Sequence, residues 1–437
     1  MSQVIKYYKR KLPIFCNLLL QFKHCNTIFL LSILILCFFH FSAAAQTRTL
    51  TIEEALKLAY ENNYEVKAMS LDIKSKEALK ATARQLPQLQ LGTEIGQYNS
   101  PATEYAFNVS QTIPFPTLFH AKKEVINSEI EIQKQTQSIY VNDLRKAIRL
   151  YYYQLAYFNH NDEKLSYLDS IYAEFIRIGN IRYNAGEIKK IEINTAQVDQ
   201  GKIRLLKKQN ERWIRATQEN LRTLLNITDS ILLPPHLNYE PLAYTGITDS
   251  LDLHHHPKVQ LLLQEISRIE KSKKVELAEQ LPEFTLGYSN QSLMGMHPVN
   301  GIETYFDKKD RFHVFNLGIS IPLPTGSQRA KQRSLTLQKQ AMENRVMMEE
   351  QNLELALKNA VNQYKTELEV YQYYVEQALP NSEQIVQAAK VGYRTGEISY
   401  LEYMHALEAI TDTELKYLES IQDLNKTVIE IYALINQ

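Results

Sequence analysis

Cysteine, glycine and proline are scarce in this chain: 3, 13 and 14 copies among 437 residues. Few glycines and prolines mean few breaks, so the elements must be long. All three cysteines, Cys16, Cys25 and Cys37, fall within the first 45 residues. With that stretch removed, neither a disulfide nor a thiolate site is available. Cys37 also fails as a lipid-attachment residue, because bulky Leu36 precedes it where a small residue is needed. A glycine-rich phosphate loop, a nucleophile elbow and a paired-histidine zinc motif are absent too, so the sequence offers no catalytic constellation and implies no cofactor. The chain also lacks an excess of either charge, with a formal net charge of zero.

What is present begins with an export signal over residues 1–45. Lys6, Lys9, Arg10, Lys11 and Lys23 are its charges, with no acidic residue among them; an apolar run from Ile28 to Phe41 and then Ala43-Ala44-Ala45 follow. The apolar run is short for a membrane span. A retained anchor is the alternative. Without those five basic residues, 44 basic side chains stand against 49 acidic ones. A mildly acidic mature chain gives no reason to expect nucleic acid as a partner.

The rest of the chain repeats itself. Phe107-Asn108-Val109-Ser110-Gln111-Thr112-Ile113-Pro114-Phe115-Pro116-Thr117 returns as Phe315-Asn316-Leu317-Gly318-Ile319-Ser320-Ile321-Pro322-Leu323-Pro324-Thr325. Each copy alternates apolar and small polar residues, meets two prolines one residue apart, and opens a long charged run. Proline fixes φ and removes a ladder donor, so Pro114, Pro116, Pro322 and Pro324 read as strand-to-helix junctions. Ala83-Arg84-Gln85-Leu86-Pro87 matches Ala278-Glu279-Gln280-Leu281-Pro282 at an offset of 195, and Tyr183-Asn184-Ala185-Gly186 matches Tyr393-Arg394-Thr395-Gly396 at 210. The two halves are taken as 46–253 and 254–437, the first ending in an irregular segment.

In order, Thr51-Ile52-Glu53-Glu54 has the form of a capping box, and helical spacing runs from it to about Gln85. Leu89, Leu91, Thr93 and Ile95 then alternate with polar residues, as do Tyr105, Phe107, Val109 and Ile113, giving a hairpin with one apolar and one wet face. From Thr117 to Ile178 no glycine or proline occurs, which predicts a helix of 62 residues ended by Gly179-Asn180. A second helix is expected from about Ile188 to Leu225, and another from His256-Pro257 to Gln280. Four amphipathic strands per chain cannot close a barrel, and backbone exposed to lipid must be fully paired. Three chains would supply twelve strands. The alternation turns Gln90, Glu94, Glu104, Asn108, Ser110, Thr112, Thr285, Ser289, Asn316 and Ser320 inward, and Leu91, Tyr105, Phe107, Phe284, Leu286, Tyr288, Leu317 and Ile319 outward.

From about Thr51 to Gln437 these features resemble the TolC-type outer-membrane efflux proteins. The resemblance rests on the duplication, the paired Leu-Pro strand starts, the Pro-x-Pro strand exits and the Tyr-x-x-Gly turns. It implies a mostly α fold with a membrane β-barrel, an internally duplicated protomer whose homotrimer forms a 12-strand barrel on a long α-helical tunnel. It also implies an outer-membrane location with a large periplasmic extension. The partners implied are a periplasmic adaptor, an inner-membrane transporter of RND type and outer-membrane lipid. Within it, Tyr183, Gly186, Tyr393 and Gly396 match the tip turns that contact the adaptor. Glu402 and His405, six and nine positions after Gly396, match a pore constriction whose second position is usually a carboxylate. The plainer readings are a turn that needs φ > 0 for the glycines and a solvated helix face for Glu402. His254-His255-His256 is a weak metal candidate, since consecutive histidines do not aim at one ion without a bent backbone. Tyr151 to Tyr153 and Tyr373-Tyr374 read as packing. A type I protein-secretion duct keeps the same fold with another cargo, and a membrane-tethered coiled-coil scaffold explains the rods but leaves the strands without a role.

Overall fold

A computed structural model of the chain describes residues 47–234, 239–244, 253–323 and 326–435. The export signal and Pro324 lie outside these residues. At one end stands an antiparallel sheet of four strands, β2 (Gln90–Gly96), β3 (Glu104–Ile113), β5 (Glu283–Ser292) and β8 (Arg311–Ser320), in the order β2-β3-β5-β8. Among the described residues it is open, with β2 and β8 as free edges. A separate hairpin, β6 (Gly295–Val299) and β7 (Ile302–Phe306), follows the far end of β5 and turns at Asn300-Gly301, both at positive φ. That dipeptide is the preferred two-residue hairpin turn, because both positions tolerate the left-handed region.

Two short strands sit at mid-height. β1 (Thr47–Thr49) pairs in parallel with β4 (Ser230–Leu232), and Leu50 and Ile231 join a buried cluster with residues of four helices. The first of these, α1 (Ile52–Asn62), carries the expected capping box: Thr51 N–H donates to Glu54 Oε2 at 3.2 Å and Glu54 N–H donates to Thr51 Oγ1 at 3.3 Å. One continuous helix to Gln85 is not what forms. Asn63 turns out of the helix (ψ 126°), and its side chain accepts from Glu65 N and Val66 N to start α2 (Tyr64–Ala78), which ends in a 3₁₀ turn over Leu79–Arg84. The amide of one asparagine thus ends one helix and caps the next.

The rods follow the prolines. Pro116 opens α3 (Pro116–Asn184), where a missing N–H costs nothing because the first helical turn has no acceptor for it. Its 69 residues extend roughly 100 Å at 1.5 Å per residue. Gly179 does not break it. A Cβ there would meet Ile193 Cγ1 at 3.5 Å, an ordinary van der Waals distance, so the position lies in the contact between α3 and α4 (Lys190–Leu225) with room for a methyl group. In the second half, α5 (Pro257–Ala278) returns to the sheet, and α6 (Gly326–Tyr373) continues through a π turn at Tyr374–Ala378 into α7 (Leu379–Thr395). Pro380 explains the π turn: its ring clashes with the carbonyl four residues back, and one extra residue per turn relieves the clash. α8 (Tyr400–Leu434) completes the chain.

The helices form a layer rather than a globule. Near the sheet they lie in the order α2, α3, α5, α6, each below the strand it joins; away from it the order is α4, α3, α8 and then α6 with α7. The core is accordingly a series of seams: one at mid-height, one between α3 and α8, and a large one at the tip farthest from the sheet. Among the described residues no helix is long and apolar enough to cross a membrane.

Candidate functional site

Strand register decides what the sheet can face. Cross-strand partners share a face, and the pairs Gln90↔Ser110, Asn108↔Ser289, Thr112↔Thr285 and Gly287↔Asn316 make one face polar. Asn108 Nδ2 donates to Glu94 Oε1 at 2.9 Å along it. The opposite face joins Leu91, Phe107, Phe284, Leu286, Leu317 and Ile319, with Leu317 85% exposed. At the end away from the helices this apolar face turns polar: Tyr288 Oη lies 2.7 Å from His313 Nδ1, and Arg311 donates to the Asn290 carbonyl at 2.7 Å.

At the other end the two helix-to-helix turns come together. Gly186 and Gly396 hold φ of +78° and +80°, and a Cβ at either would meet nothing within 4 Å, so what these positions demand is backbone conformation. Both turns close by reverse bonds, Glu187 N to Arg182 O and Glu397 N to Gly392 O. Tyr393 is buried in the tip core, stacked on Tyr403 at 5.1 Å and packed on Phe175 at 5.4 Å, while Tyr183 is 41% exposed. Arg182 ties the turns to each other: it pairs with Glu187, donates to the Tyr393 carbonyl, and lies 4.8 Å from the centre of the Tyr393 ring. Arg182, Phe175 and Tyr403 were not singled out from sequence. The spacing of Arg182 before the turn glycine was the available signal, since a long cation there reaches the last carbonyls.

Glu402 has a local role. Ser399 N–H donates to its Oε2 at 2.7 Å and Glu402 N–H donates to Ser399 Oγ at 3.3 Å, a capping box at the start of α8. Those Ser399 hydrogen bonds hold its carboxyl below the usual glutamate range. Glu192 does the same in the first half, accepting from Lys189 N. His405 is one turn further along, exposed, with Nδ1 3.8 Å from Glu408.

The histidine run diverges. His256 is the N-cap of α5, its Nδ1 accepting from Lys258 N at 3.2 Å, and burial lowers its pKa; His254 sits 3.5 Å from Glu350 on α6. Among the described residues no group of three or more His, Cys, Asp and Glu side chains could hold a metal ion. Pro114 follows the last residue of β3, Pro116 starts α3, and Pro322 lies just past β8. Tyr152 is buried and donates to the Leu50 carbonyl at 3.2 Å, burial pushing its hydroxyl up to about 12.

Comparison with known proteins bears on this geometry. The family model described as outer membrane efflux protein matches residues 250–437. Over those residues the chain is similar to outer membrane efflux proteins, a family whose members are channels of the outer membrane and not enzymes. The cobalt-zinc-cadmium resistance protein CzcC of Cupriavidus metallidurans is 20% identical over 377 residues, 84% of this chain and 86% of CzcC. A solved structure of CusC superposes with a TM-score of 0.72 at 13% identity, over 88% of this chain and 91% of that one. The open state of the Neisseria gonorrhoeae MtrE outer membrane channel gives 0.71 at 13% identity, with 88% of each chain covered. At these identities the two structures speak for the fold alone: a mostly helical chain in the arrangement of known efflux channels.

Proposed function

We propose that three copies of this chain close their open sheets into a twelve-strand barrel in the outer membrane, prolonged into the periplasm by a tunnel of α3 to α8. The observation that carries the reading is the open sheet itself, whose free edges flank an apolar face and a polar face. Unpaired edges in lipid cost several kcal/mol per orphaned group, and closure with other copies removes them. The girdle of Tyr288, His313 and Arg311 at one end suits a lipid headgroup boundary.

In this reading the two halves, 46–253 and 254–437, are repeats, and the chain is a passive exit duct of a tripartite system. Its tips, with Tyr183, Gly186, Tyr393 and Gly396, meet a periplasmic adaptor; an inner-membrane transporter of RND type supplies the energy; Glu402 and His405 line the entrance. The resistance function in the name of CzcC makes divalent metal cations the first cargo to try. The protein-secretion alternative shares every contact and differs in cargo, and the tethered scaffold leaves the two-faced sheet unused. Mass measurement of the detergent-purified protein with planar-bilayer recording tests the duct: a trimer that conducts supports it, and a monomer without channel activity overturns it.

A further inference from the structure

Among the described residues the protomer is open on the same two sides in the sheet, beside it and toward the tip. In the sheet the free strands are β2 and β8, beside it the outermost helices are α2 and α6, and toward the tip they are α4 on one side and α6 with α7 on the other. Two different edges, each running from the sheet toward the tip, make a head-to-tail contact that closes into a ring. Resting on the ring proposed above, the geometry points to a lock near the tip: the basic edge helix α4 of one copy packs on a row of three carboxylates, Glu369, Glu376 and Glu383, along the edge of α6 and α7 of the next.

Three observations carry it. Ile191, Val198 and Leu205 recur at seven-residue spacing on α4 and are 68%, 60% and 57% exposed, a coiled-coil seam with no partner in its own chain. Between and above them stand exposed Lys202, Lys208 and Arg215; Lys202 and Arg215 pair only with acids one turn away on α4, and Lys208 has no acid in ion-pair distance among the described residues. On the opposite edge Glu369, Glu376 and Glu383 are exposed and, among the described residues, have no Lys or Arg in ion-pair distance. Ile385 is 50% exposed beside them.

The heights agree as well. Arg204 of α4 pairs with Asp169 of α3 at 2.9 Å, Lys164 of α3 pairs with Glu414 of α8 at 2.7 Å, and Tyr417 of α8 stacks on Tyr371 at 6.1 Å. Lower down, Phe175 packs on Tyr393 at 5.4 Å. These contacts serve as rungs across the layer. They set Val198 level with Ile385, Lys202 with Glu383, Lys208 with Glu376 and Arg215 with Glu369. A ring built by rotation alone keeps each residue at its own height, so Lys202, Lys208 and Arg215 of one copy meet Glu383, Glu376 and Glu369 of the next.

Cysteine pairing tests the lock, because the native cysteines all lie in residues 1–45. The full chain carrying Lys208→Cys and Glu376→Cys, oxidised in detergent with the unsubstituted protein as blank, should give a covalent ladder ending at the complete ring. Each single variant should give no cross-link, and the two singles mixed during refolding should give dimers at most. Self-linking of a single variant would mean a two-fold contact and overturn the lock. So would a double variant of trimer mass that forms no ladder, and this outcome leaves the ring standing; a monomeric unsubstituted protein sinks both. As a second measurement, Lys208→Glu should dissociate more readily at low salt than the parent, with Glu376→Lys restoring it; failure of the restoration also counts against the pairing.

Discussion

Leu317 on the apolar face of β8 offers the sharpest test of which side of the sheet meets lipid. The side chain is 85% exposed in the single chain, so replacing it removes almost no contact within the protomer. Arginine at that position is then a nearly pure probe of the medium around it. If hydrocarbon surrounds the barrel, Leu317→Arg costs about 2–4 kcal/mol near the bilayer midplane, roughly 30-fold to 1,000-fold in the folded ratio, with less toward either interface. If water surrounds it, the cost is close to zero. Asn316 is adjacent in sequence but lies on the polar face opposite Gly287, so Asn316→Arg should be tolerated. The assay is denaturant unfolding of protein reconstituted in lipid vesicles, followed by tryptophan fluorescence and by heat-modifiable migration in gels. Ile319→Arg, nearer the helices, should fall between the two. Equal stability of the Leu317 and Asn316 variants, or the reverse order, would refute the assignment of faces and with it the barrel.

Three further outcomes follow from the tip and the mid-height seams. Gly396→Ala adds strain without a clash, because φ is +80° and no atom lies within 4 Å of the new Cβ; about 1 kcal/mol should speed amide exchange in 392–405 roughly fivefold, with Gly396→Asn milder. Exchange unchanged in both would show that the turn does not need its left-handed residue. Glu402→Gln keeps the capping geometry and removes the charge, whereas Glu402→Ala removes both, so a pore role predicts lost cation selectivity in Gln with helix protection intact. Because hydrogen bonds from Ser399 lower this carboxyl, its charge should persist until pH falls below the usual glutamate range, which selectivity against pH reads directly. His256 must be neutral to accept from Lys258 N, and burial depresses its pKa, so the native state binds fewer protons than the unfolded chain. Its contribution is complete above the ordinary imidazole value and is lost as pH falls through the depressed one, which lower protection factors over 258–262 at pH 5 than at pH 7, each referred to the intrinsic exchange rate at that pH, would reveal and His256→Asn should remove.

Why some of this was legible in the sequence and some was not comes down to the range over which each signal acts. Strand faces, the Thr51 capping box and the start of α3 at Pro116 depend on neighbours a few residues away, and period and proline suffice to read them. Asn300-Gly301 belongs to the same class, a local turn code whose two left-handed positions set the β6–β7 hairpin. The misreadings came from residues whose local meaning is reversed by something distant. Gly179 looks like a break, yet it lies within α3 in the contact with α4. Pro380 was not singled out from sequence; there α8 packs along both α6 and α7 and a π turn absorbs the misfit, so the rod runs on. β1 and β4 are three residues each and lie far apart in sequence, so nothing but the buried seam around Leu50 and Ile231 makes them a pair. At the tip the same logic applies to function: a carboxylate three residues into a helix reads as a pore charge or as a cap, and only the position of Ser399 shows that the cap is made. The two roles differ in what they require of Glu402. A cap asks for an acceptor and a pore asks for a charge, which is why glutamine, supplying the first without the second, is the substitution that separates them.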